Sequence, residues 1–102
     1  MSYIKAYSQV VEAEVTPNAW DETYFSLLSL KGHLQSLPGW LSFDMWAHDL
    51  DNGNIRLIAV TNWETVDHLS QWLESATTVD AILRSMQPPP TMLDIDLYEE
   101  IL

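Results

Sequence analysis

The stretch PGWLSFDMWAHDLDNGNIRLIAVTNW, residues 38–63, decides how this chain folds. Pro38 and Gly39 stop any preceding helix, since proline lacks the amide proton and glycine frees the backbone. From Trp40 to His48 the sequence alternates: Leu41, Phe43, Met45 and Ala47 form one row, Trp40, Ser42, Asp44, Trp46 and His48 the other. Asp51-Asn52-Gly53-Asn54 follows, and Asn-Gly between two strand patterns is a strong hairpin signal. Ile55 to Trp63 is the returning strand. The loop does not suit calcium. Counted from Asp49, glycine is fifth and Val60 twelfth, whereas an EF-hand loop needs glycine sixth and glutamate twelfth.

Upstream, Tyr3 to Val15 reads as a strand rich in Tyr, Val and Ile. Pro17-Asn18 ends it, and Asn18 with acidic Asp21 and Glu22 behind it marks a helix start. From Ala19 to Leu34 the residues Trp20, Tyr24, Leu27, Leu28 and Leu34 recur at helical spacing. Downstream, Thr65 can cap a short helix carrying Val66, Leu69, Trp72 and Leu73. A break near Ser75 to Thr77 precedes a second one with Val79, Ile82, Leu83 and Met86, which Pro88-Pro89-Pro90 terminates. A last strand runs from Thr91 to about Tyr98, with Leu93, Ile95 and Leu97 on one side. The order predicts an α+β, ferredoxin-like βαββαβ fold in one domain, residues 1–102: an antiparallel sheet with helices on one face. Apolar residues fall on both faces of the first strand and of Ile55 to Trp63. A second cover is therefore expected, and another copy of the chain, sheet against sheet, is the economical one.

Composition limits the function. Apolar residues make up 47% of the 102 residues, so a packed core is within reach. There is no cysteine, which removes disulfides, thiolate metal sites and cysteine nucleophiles. Fifteen acidic against four basic residues give a net charge of −11, which repels nucleic acid and anionic membranes alike. The first residues, MSYIKAYSQVVEAE, carry no visible export signal, so a cytoplasmic protein is expected.

The segments LPGWLSFDMW, TNWETVDHLSQWLES and the closing DLYEE resemble the antibiotic biosynthesis monooxygenase domain. The resemblance spans nearly the whole chain, with Pro38-Gly39 and Trp63-Glu64-Thr65 as its sharpest marks; the family usually has serine where Thr65 stands. It implies a dimeric α/β barrel and oxidation of phenolic, anthrone or quinol substrates by O₂ with neither flavin nor metal as cofactor. It also bears on individual positions. Trp63 matches the tryptophan opening the family motif, and Trp72 a pocket tryptophan of a haem-degrading branch. Where that branch holds iron by a histidine this chain has Ile82, so haem degradation is not expected. Four further pocket positions of the actinorhodin-like enzymes fall on Ala59, Trp46, Leu69 and Leu83, none of which keeps the family's polar residue.

Among the residues themselves, His33 and His68 are the candidate bases, because imidazole exchanges protons near neutral pH. The plainer readings are a hydrogen-bonded structural histidine for His33 and a solvated one for His68. His48 belongs to the surface beside the hairpin. No HxxxH or HxH pairing exists, so no metal site is expected. Asn62 and Arg84 are candidate donors to a developing anion. Trp46, Trp63 and Trp72, with Tyr7 and Tyr24, are candidate walls for a small hydrophobic aromatic ligand. Five tryptophans could equally fill a small core and a dimer seam. The function expected is a cofactor-independent monooxygenase, with a non-catalytic, ligand-binding or stress-related dimeric barrel as the alternative.

Overall fold

The computed structural model describes residues 3–102. The elements are β1 (Ala6–Val15), α1 (Pro17–Leu34), β2 (Trp40–Asp49), β3 (Ile55–Trp63), α2 (Val66–Leu73), α3 (Val79–Arg84) and β4 (Met92–Glu100). All strand pairs are antiparallel and the sheet order is β2-β3-β1-β4, the ferredoxin-like arrangement expected from the sequence. The hairpin closes where Asn52-Gly53 requires it: Gly53 takes φ +88°, and the Leu50 amide donates to the Asn54 carbonyl at 2.8 Å.

One face of the sheet is covered. Val11, Ala13 and Val15 of β1, Leu57, Ala59 and Trp63 of β3, and Phe43 of β2 pack with the buried faces of the three helices. Each large apolar side chain so buried contributes roughly 1.5–3 kcal/mol. The stripe of α1 that does this is Ala19, Thr23, Leu27, Leu30 and Leu34, offset from the one expected; Tyr24 and Leu28 are exposed. Thr23 can lie in that stripe because its hydroxyl donates to the Ala19 carbonyl at 2.7 Å.

Several boundaries moved. β1 begins at Ala6, with Tyr3 exposed. α1 begins at Pro17 with Thr16 as its cap, not at Asn18, because proline's fixed φ suits the first helical position and its missing N–H has no partner there anyway. Asp21 and Glu22 consequently lie beyond the first turn. A bulge between Trp40 and Ser42 breaks the expected alternation, so Leu41 is exposed while Trp40 packs against the core. Val66 is exposed at the start of α2, α3 stops at Arg84, and β4 continues to Glu100.

The other sheet face is apolar along the two central strands, as their rows predict. Its centre is apolar, with Val10, Ile58 and Val60 half-buried. Its flanks are mixed: Asp44 and His48 stand either side of exposed Trp46 on β2, Asp94 and Asp96 lead to exposed Tyr98 on β4, and Glu12 faces Arg56 at 3.5 Å. The central strands are apolar on both sides, whereas the edge strands set charged residues beside single aromatics. On the helical side, Leu93 reaches the core, whereas Ile95 and Leu97 are exposed.

Candidate functional site

The turn after α1 brings three segments together. Gly39, at φ +78°, redirects the chain into β2 and its carbonyl accepts the Glu64 amide at 2.7 Å. That bond pins the end of β3 and the start of α2 to the Pro38-Gly39 turn. Between them lies a cavity of about 130 Å³, bordered by His33 and Leu37 from the α1 side and by Trp63, His68, Gln71 and Trp72 from the β3–α2 side.

Its back wall is aromatic. Trp63 and Trp72 stack with ring centroids 5.2 Å apart and planes 27° from parallel, and they are only 1% and 3% exposed. Trp72 Nε1–H donates to the Thr77 carbonyl at 3.1 Å, which ties α2 to the loop leading into α3. Trp63 Nε1 is buried without a partner, as are Thr61 Oγ1 and Gln9 Oε1 on the same sheet face. Both tryptophans therefore serve the core and present a wall to the cavity.

His68 is held from two directions. Thr65 caps α2: its Oγ1 accepts the His68 amide at 3.1 Å and lies 2.8 Å from the same residue's Nδ1. On another side the ring rests on Gly39, where a Cβ would lie 2.3 Å from His68 Cγ and Nδ1. His33 is less constrained. It is exposed on the last turn of α1, between this cavity and a second one of about 230 Å³ bordered by Ser26, Leu30, Thr77 and Ile82.

Four of the residues singled out from the sequence thus meet: His33, His68, Trp63 and Trp72. The others lie elsewhere. Trp46 is on the uncovered sheet face, 57% exposed, because it belongs to the opposite row of β2 from Phe43 and Met45. Asn62 is on that face too, taking a hydrogen bond from the Ser8 hydroxyl and donating to the Ser42 hydroxyl at 2.8 Å, so it staples three strands. Arg84 projects from α3 and pairs with Asp80 at 2.8 Å. Tyr24 borders a separate groove with Lys31 and Asp44, and Tyr7 packs against the core opposite Trp63. Gln71, and the contacts of Thr65 and Gly39 with the His68 ring, were not foreseen. Thr65 and His68 stand three apart across a helix start, the spacing at which cap and third residue touch, and that was the available signal. Among the described residues no three His, Asp or Glu side chains gather as metal ligands, and no helix is long and apolar enough to cross a membrane.

Solved structures share this architecture. A conserved protein from Methanosarcina mazei is similar at TM-score 0.75 and 19% identity, covering 96% of this chain and 95% of its own. A candidate antibiotic biosynthesis monooxygenase from Deinococcus radiodurans is similar at TM-score 0.73 and 14% identity, covering 92% and 91%. Another from Nitrosomonas europaea reaches TM-score 0.70 at 15% identity, covering 96% and 92%. At such identities the fold is what is shared. No family profile matches the chain, and no curated protein matches it.

Proposed function

We propose that the chain is a cofactor-independent monooxygenase for a small phenol, quinol or anthrone, acting as a homodimer. The observation that carries this is the cavity between α1 and α2, where two imidazoles stand against a stacked tryptophan wall. An aromatic wall suits a flat substrate, and a histidine can take its acidic proton. The resulting electron-rich anion can itself reduce O₂. In the overall balance a ring carbon that is CH₂ in the keto tautomer becomes C=O, one oxygen atom enters the product and the other leaves as water, so no external reductant is needed. At about 130 Å³ the cavity holds about one ring, since a cavity of roughly 150 Å³ admits benzene. A larger substrate would extend past His33 towards the neighbouring cavity.

The homodimer is supported by the uncovered sheet face, where an apolar centre and the exposed aromatics Trp46 and Tyr98 stand among charged side chains, the pattern of a protein interface. The protomer is also extended, 46 × 25 × 18 Å, with a radius of gyration of 14.0 Å where about 13 Å is usual for this length.

Oxygen uptake with a panel of hydroquinones and anthrones tests the reading. His33→Gln should lower the rate on the order of a hundredfold while leaving the fold intact, because His33 is exposed. Absence of uptake across the panel, with an aromatic ligand still bound, favours the second reading, a non-catalytic binding module. The observation on its side is that the candidate donors Asn62 and Arg84 hold their partners outside the cavity.

A further inference from the structure

Two histidines border the cavity, but their surroundings differ, and the difference decides what each can do. Around Thr65 Oγ1 there are two neighbours: the His68 amide, which can only donate, and His68 Nδ1, which can do either. If Nδ1 carried the proton, the Thr65 hydroxyl would accept twice and its own proton would have no protein acceptor. If Nδ1 is bare, the hydroxyl donates to it at 2.8 Å while accepting the amide, and every group at the cap is satisfied. The second arrangement leaves the ring proton on Nε2, the nitrogen without a protein partner. Gly39 lies against the Cγ and Nδ1 side of the ring, where even a methyl group would collide with it, so that side packs closely on backbone.

We propose that His68 is a fixed Nε2–H hydrogen-bond donor to an oxyanion in the cavity, with Thr65 as the residue that sets its tautomer. This rests on the reading of the cavity as a substrate site, and it divides the labour: His33 takes the proton and His68 holds the charge that appears. A positioned donor of this kind stabilises developing negative charge without reorganising, and it is needed here because a net charge of −11 disfavours an anion at long range. Asn62 and Arg84 are too far engaged elsewhere to serve.

The test is the protonation pattern of the His68 ring, read by long-range ¹H–¹⁵N NMR at a pH where imidazole is neutral, with signals assigned from His33→Gln and His48→Gln. The expected result is a pyridine-type Nδ1 and a pyrrole-type Nε2 in the native protein and in Thr65→Ser. Thr65→Asp keeps a helix cap but offers only acceptors, so it should move the proton to Nδ1. The native protein should also show a shift at His68 Nε2 on adding 4-nitrophenol at a pH where it is ionised, and Thr65→Asp should bind that phenolate on the order of tenfold more weakly. A pyridine-type Nε2 in the native protein overturns the proposal, as does a tautomer indifferent to Thr65→Asp. If the tautomer and the phenolate shift are as stated but no phenol is oxidised, the donor assignment stands and the monooxygenase reading fails.

Discussion

Gly39 shows how one missing side chain organises a site. Its positive φ costs any other residue roughly 1–2 kcal/mol, and a Cβ there would collide with the His68 ring. Gly39→Ala should therefore destabilise the protein by about 2 kcal/mol or more in urea titrations and displace the His68 ring signals. The two stacked tryptophans make a sharper comparison. Truncation to phenylalanine leaves either site with a similar void, but Trp72→Phe also strands the Thr77 carbonyl, while Trp63→Phe removes an N–H that has no partner. Trp72→Phe should cost about 1 kcal/mol more than Trp63→Phe, read from the same titrations.

Between elements, the far end of the sheet is tied by Glu14. Its carboxylate accepts from Asn54 Nδ2 at 2.7 Å, from the Thr91 hydroxyl at 3.0 Å and from Asn52 Nδ2 at 3.3 Å, so β1 holds both the β2–β3 hairpin and the entry to β4. These hydrogen bonds, the one from Asn54 first, hold the Glu14 carboxyl below its ordinary value of 4.5. A lowered folded-state pKa means that the stabilisation is present above the unfolded-state value and is lost as pH falls through the folded one. Thermal melts should therefore show stability falling as pH drops below 4.5, and Glu14→Gln should flatten that part of the profile.

For the molecule as a whole, the uncovered sheet face sets the behaviour. A dimer of the 11.7 kDa chain through Val10, Ile58 and Val60 would bring the carboxylates of Asp44, Asp94 and Asp96 near those of a second copy. Light scattering should give about twice the chain mass. Added salt should strengthen association by screening, since the Debye length falls from about 10 Å at 0.1 M to about 3 Å at 1 M. Val60→Glu should yield a folded monomer, because Val60 is outside the helix-covered core. A wild-type monomer at working concentrations would remove the dimer from the proposed function.

Element order, the hairpin, the Thr65 cap and the sheet topology were all legible in the residues, because turn chemistry and hydrophobic period act over a few positions at a time. Which aromatic meets which was not. Trp40, Trp46, Trp63 and Trp72 look alike in a list, yet a bulge near Trp40 and the row parity of β2 send Trp46 to the opposite face from the Trp63–Trp72 stack. The α1 stripe was offset for a similar reason: a threonine that satisfies its own hydroxyl can occupy a buried place that hydropathy assigns to its tyrosine neighbour. The pairing of His33 with His68 depends on a contact across 35 positions of chain, and the hold on His68 depends on a glycine 29 positions away. Local chemistry chooses the elements; only their packing chooses which side chains share a cavity, since that is settled by the shapes of surfaces brought together from distant parts of the chain.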